Sequence, residues 1–175
     1  FPLAILSGAL CAGAAGLLVG VPSLRLRGDY LAIVTLGFGE IIRVLIENSS
    51  ALGGAIGLSG LAPLTTPFWI ITCLLAVIVA SSRLRRSPHG RAMIAVREDE
   101  LAAEAMGVDS TRSKVLAFAL SAFFAGAAGA LLGHYLQILS PRDFTFVKSI
   151  EIVAMVVLGG LGSVSGAALA ALILT

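Results

Sequence analysis

The chain has 175 residues, of which 58% are hydrophobic and 13% charged, with a mean hydropathy of +1.01 and a formal net charge of +2. A water-soluble domain of this size carries about a quarter charged residues, so the composition excludes one and describes an integral membrane chain. The basic residues lie beside apolar runs, where the positive-inside rule places them, and not in a patch suited to nucleic acid.

Phe1 to Leu24 is uncharged and long enough for one span ending near Pro22. It lacks the basic leader of a signal peptide. With no Met at the start and an apolar run at the end, the chain reads as a piece cut from a longer protein at both ends. Arg25, Arg27 and Asp29 make a short polar loop, and Tyr30 to Ile46 is a run of about the minimum spanning length. Asn48 to Pro63 is glycine-rich and has no Lys or Arg. Pro67 to Ala80 is the next apolar run, entered through Trp69, a residue suited to a membrane interface. Ser81 to Lys114 then gathers seven of the twelve Lys/Arg and five of the ten Asp/Glu. Val115 to Leu139 is a span packed with Ala and Gly, Ser140 to Ser149 a loop, and Ile152 to Thr175 the last uncharged run. The expected fold is an all-α, polytopic membrane helical bundle with about five membrane segments, all within one transmembrane domain over 1–175.

Parity orients it. With 81–114 inside, the loop around 25–29 is also inside, and these two loops hold nine Lys/Arg. The outer loops hold two, Arg142 and Lys148, while Arg43 lies within a span. Every loop favours the same orientation.

Within the polar block, Arg91 to Met106 is rich in Ala, Glu, Met and Leu and ends at Gly107, a good C′ residue. One helix of about 24 Å is expected there. On its wheel Arg97, Glu100 and Glu104 share a stripe, while Ile94, Leu101, Ala105, Val96, Ala103, Ala95, Ala102 and Met106 surround most of the rest. Such a helix needs covering on two sides, by the membrane part and by a partner protein. Glu100 and Glu104 are like charges at i,i+4, so an external cation between them is one reading, and a solvated face with Arg97 as partner is the other. Charge also divides along the block. Ser81 to Arg97 holds five basic residues and no acid, and Glu98 to Asp109 five acids and no base. The basic half suits an anionic leaflet.

Glu40 and Arg43 stand i,i+3 on one helix and can pair within the span, flanked by Gly37 and Gly39, which let another helix come close, and Thr35 offers a hydroxyl to a path. An intramembrane ionisable pair is a functional candidate; a structural or gating pair fits better than a ligand for substrate. Gly159, Gly160, Gly162 and Ser163 belong to GGLGSVSG, which weakens a helix in mid-run. It reads either as a broken helix lining a path or as close packing through small residues, in which case Gly160→Leu would overpack. Cys11 and Cys73 lie in apolar runs as plain thiols. His89 and His134 are separated by a span, so no metal site is expected. No catalytic constellation is present.

GRAMIAVREDELAAEAMGVD, GDYLAIVTLGFGEIIRVLIEN and VVLGGLGSVSGA together resemble three signatures of the permease subunits of branched-chain amino acid ABC transporters. KVLAFALSAFFAGAAGALLGHYLQILSPRDFTF fits the same family, and GDYLAIVTLGFGEI points to the LivM-type member of its permease pair. The resemblance implies an importer subunit in a bacterial cytoplasmic (inner) membrane. Its partners would be a second homologous permease, two ATPase subunits that bind ATP and Mg, and an extracytoplasmic binding protein delivering leucine, isoleucine or valine. No cofactor is expected in this chain. The resemblance makes 81–114 the cytoplasmic coupling loop, with Gly90, Arg91, Ala95, Arg97, Glu98, Glu100, Ala102, Ala103, Glu104 and Gly107 facing the ATPase. In ABC importers that loop carries Glu-Ala-Ala, three residues, then Gly; here Ala102, Ala103 and Gly107 keep the pattern and Leu101 replaces its Glu. Urea, another amide or another amino acid is the alternative cargo. A proton-coupled carrier using Glu40 is the alternative class, and a membrane enzyme ranks last.

Overall fold

Apolar helices with small residues on one side set the architecture. The structure, a computed structural model, describes residues 1–24, 26, 29–49 and 53–174. The helices are α1 (Pro2–Ser23), α2 (Asp29–Glu47), α3 (Pro67–Arg86), α4 (Pro88–Glu98), α5 (Glu100–Ala105), α6 (Ser110–Leu136), α7 (Phe146–Leu158) and α8 (Val164–Leu174). Of these, α1, α3 and α6 are long and apolar enough to cross a membrane. The other two expected segments differ. The 19-residue α2 carries Glu40, Arg43 and Glu47, and the last run is broken into helices of 13 and 11 residues. The result is a helical, multi-spanning membrane chain.

The chain forms two compact units. One holds Phe1–Thr35 and Gly60–Ile138, the other Leu36–Ser59 and Leu139–Thr175. In the first, α1 lies along α6 with little between the backbones. A Cβ added at Gly126 would stand 2.5 Å from the Gly8 carbonyl oxygen, and one at Gly16 would stand 2.6 Å from Ala122 Cβ. Small residues are what let two apolar helices approach so closely where burial of apolar surface gives no drive. At the far end, Thr65 Oγ1 donates to the Leu131 carbonyl at 2.8 Å and His134 Nδ1 lies 2.8 Å from that of Ala62. These contacts hold the entry to α3 against the end of α6. At 27 residues, α6 is about 40 Å long, longer than the roughly 30 Å of a hydrocarbon core. Its polar first turns, from Ser110 to Lys114, therefore stand clear of the apolar part.

In the second unit α7 and α8 form a hairpin at the glycine run. Gly160 and Gly162 have φ of +92° and +93°, and the Ser163 hydroxyl accepts from the Gly166 N–H at 3.1 Å as the N-cap of α8. The helices cross where Gly159 meets Gly166: a Cβ at Gly159 would stand 2.5 Å from the Gly166 oxygen. The glycine-rich loop becomes a 3-10 turn at Gly54–Ile56 and a two-residue strand at Leu58–Ser59.

Candidate functional site

The polar block folds as a bracket at the ends of α3 and α6, all within the first unit. Ser87 turns the chain. Its hydroxyl donates to the Leu84 carbonyl and accepts from the Gly90 N–H at 3.1 Å, capping α4. Arg91 Nη1 donates to the Arg86 carbonyl at 2.8 Å, covering the open end of α3. Gly90 is buried where α4 doubles back: a Cβ there would run into the Leu84 carbonyl and stand 2.9 Å from Arg85 Cα.

The expected single helix over Arg91–Met106 is two. α4 ends at Glu98, Asp99 is extended at φ −154°, ψ 109°, and α5 begins at Glu100. Asp99 breaks the run because its carboxylate accepts from the Ala102 N–H at 3.0 Å, the N-cap geometry that Asp takes in preference to a helix interior. The pieces are about 16 Å and 9 Å long. The common stripe of Arg97, Glu100 and Glu104 goes with the break, and Arg97 pairs with its neighbour Glu98.

The expected end at Gly107 holds. The Val108 N–H reaches the Ala103 carbonyl at 3.0 Å and the Gly107 N–H that of Glu104 at 2.9 Å, with Gly107 at φ +84°. That is a Schellman motif. Asp109 then caps α6 by accepting from the Arg112 N–H at 2.9 Å.

One further correction follows from the bracket. The cation beside Glu100 is internal, since Lys114 Nζ on α6 stands 2.6 Å from its carboxylate, and the Ser110 hydroxyl donates to Glu104. Of the two covers expected for the bracket, the chain supplies one itself. Gly90, Val96 and Ala103 are buried within the chain itself, Ala103 being 5% exposed. The open face carries Leu101 and Met106, 67% and 84% exposed, with Ala95, Arg97, Glu98, Ala102 and Glu104 also outward. Of the residues the sequence reading missed, Ser87 and Asp109 carried a readable cap signal ahead of helical runs. Lys114 carried none, because its partner is fourteen positions away and meets it only after the turn at Gly107.

The other candidates are on α2 and on the α7–α8 hairpin. On α2, Arg43 pairs with Glu40 and also with Glu47, the latter at 2.8 Å; Thr35 Oγ1 donates to the Leu31 carbonyl at 2.9 Å. Nothing described lies within 4 Å of a Cβ at Gly37 or Gly39. Gly159, Gly160, Gly162 and Ser163 form the α7–α8 break, and among the described residues α2 has no extended packing with that hairpin. Arg25, Arg27 and Ser50 to Leu52 of the predicted loops fall outside the described residues.

The family described as branched-chain amino acid transport system / permease component matches residues 1–175. The chain belongs to that family. Among permeases of the family, it is 40% identical over 94% of its length to the high-affinity branched-chain amino acid transport system permease protein LivM of Salmonella typhimurium, covering 47% of that protein. A probable branched-chain amino acid transport permease protein LivM of Methanocaldococcus jannaschii is 29% identical over 97% of the chain and is covered to 53%. The permease protein LivH of Salmonella typhimurium is 32% identical over 82% of the chain, covered to 44%. The chain spans about half the length of the curated relatives it matches. No solved structure matches it.

Proposed function

We propose that this chain is the membrane-spanning part of a permease subunit in an ATP-driven importer of branched-chain amino acids, and that the α4–α5 bracket is where an ATPase subunit docks. The observation that carries the docking is the open face of α5. Leu101 and Met106 are large, apolar and mostly exposed beside a residue, Ala103, that the chain buries itself. An apolar tip on an otherwise charged loop is what a partner covers. The names of the relatives support the cargo. The positive-inside count supports a cytoplasmic bracket in a bacterial inner membrane. ATP and Mg then belong to two ATPase partners, and a second homologous permease and an extracytoplasmic binding protein complete the assembly. The Glu40–Arg43–Glu47 set and the Gly159–Ser163 break are the elements proposed for the path or its gate.

Leu101→Glu tests the docking better than a change at Ala103, which would disturb the chain's own packing. Leu101 makes little contact within the chain, so the full-length variant should reach the membrane at normal levels. Its new carboxylate would be buried against the ATPase without a cation, which costs several kcal/mol, so ATPase co-purification and uptake should both be lost. Co-purification at the wild-type ratio would sink the docking reading. For the cargo, vesicles holding the assembled transporter should take up leucine with ATP and the binding protein. Uptake on a pH gradient alone would favour the carrier alternative.

A further inference from the structure

The bracket is tied to α6 by two side-chain contacts in register. Glu100 meets Lys114 at 2.6 Å and Glu104 accepts from Ser110. Each pair is four residues from the other on both helices, running in opposite directions, so α5 lies antiparallel against the first turns of α6. Lys114 and Glu100 are 22% and 26% exposed and Ser110 is buried at 5%, while Glu104 reaches it from the exposed side of α5. Between the helices stands the turn from Gly107 to Asp109: the Schellman bonds close Gly107 and Val108 onto α5 and Asp109 caps α6, so the two side-chain pairs link one helix to the other across that turn. Beyond the contacts α6 runs on against α1, backbone close to backbone at Gly126 and Gly8.

From this geometry we infer that Lys114 is a positioning residue: with Ser110 it latches α5 to α6, so that force applied to α5 moves α6 and α1 and is not absorbed in the turn between them. The inference rests on the docking proposed above and adds the route by which docking would act. Without the latch, the ATPase would still hold α5 and hydrolyse ATP, and α5 would shift on α6. A solvated pair in this place would contribute little; a partly buried one spanning the turn holds an angle.

The test uses the full-length permease assembled with its ATPases and binding protein in proteoliposomes. Lys114→Glu should leave ATPase co-purification near the wild-type ratio and lower amino acid taken up per ATP hydrolysed by at least about fivefold, the low end of coupling between sites. Adding Glu100→Lys to it reverses the pair and should restore that ratio to within about twofold. Unchanged uptake per ATP in the single variant, or no recovery in the reversed pair, would overturn the latch. Loss of co-purification in the single variant would overturn it too, because Lys114 would then be a docking residue. Should Lys114→Glu fail to fold, Glu100→Cys with Lys114→Cys, joined by a short bis-maleimide, gives a second reading. Transport should survive the bridge at half or more of the unbridged rate; abolition would mean that α5 has to move on α6. Failure of the docking proposal is seen separately, in the Leu101→Glu pull-down.

Discussion

Two glycines of the bracket serve opposite needs, and substitution separates them. Gly107 sits at φ +84° with nothing within 4 Å of a Cβ, so Gly107→Ala meets only backbone strain, about 1 kcal/mol for an L-residue in the left-handed region. Gly90 has an ordinary backbone, but its Cβ would collide with the Leu84 carbonyl and approach Arg85 Cα. Backbone has to move to admit it. Thermal unfolding of the detergent-solubilised permease should therefore fall by a few degrees for Gly107→Ala and by clearly more for Gly90→Ala. Equal shifts would mean that the crossing of α3 and α4 is not set at Gly90. Only the first of these roles was legible in the sequence. A Gly after a run of helix formers announces a C′ position, whereas the crowding at Gly90 comes from a turn that no local pattern describes.

At the scale of elements, small residues decide which helices touch. Gly126 and Gly129 lie one turn apart on α6, yet a Cβ at the first meets Gly8 on α1 and at the second meets nothing described. Gly126→Val should force α1 and α6 apart and lower both the yield of folded permease and transport, while Gly129→Val is tolerated. Tolerance at both sites would remove the seam. The hairpin of α7 and α8 follows the same logic with one revision. On the close-packing reading Gly160 is the residue that overpacks, but its surroundings are open and its constraint is φ +92°; the crowded glycines are Gly159 and Gly166. Gly159→Ala should damage transport far more than Ala168→Leu. The helical runs and their order were legible because hydropathy over twenty residues is a strong signal. The break at Asp99 was not, because a helix-forming composition on both sides of it outweighs one capping residue until the geometry of Ala102 N–H and Asp99 Oδ1 is seen.

For the whole molecule, the orientation is the quantity to measure. With Cys11→Ala and Cys73→Ala as background, a cysteine at exposed Arg97 should label only from the cytoplasmic side and one at exposed Ser59 only from outside. Labelling of position 97 from outside would invert the proposed topology. Ser110 is a poor probe for this purpose, being buried.

The division of the bracket at Asp99 also bears on how the protein is made. Helices of 11 and 6 residues fall below the length at which an isolated helix persists in water. α4 has α3 to lean on as soon as it leaves the ribosome. α5 leans on Ser110 and Lys114, which are synthesised after it. A nascent chain that ends at Met106 thus has the Asp99 cap of α5 but lacks the contacts with α6 that hold it. Under the docking proposed above, an ATPase subunit would then find α5 unheld on a half-built permease, and assembly would wait for α6.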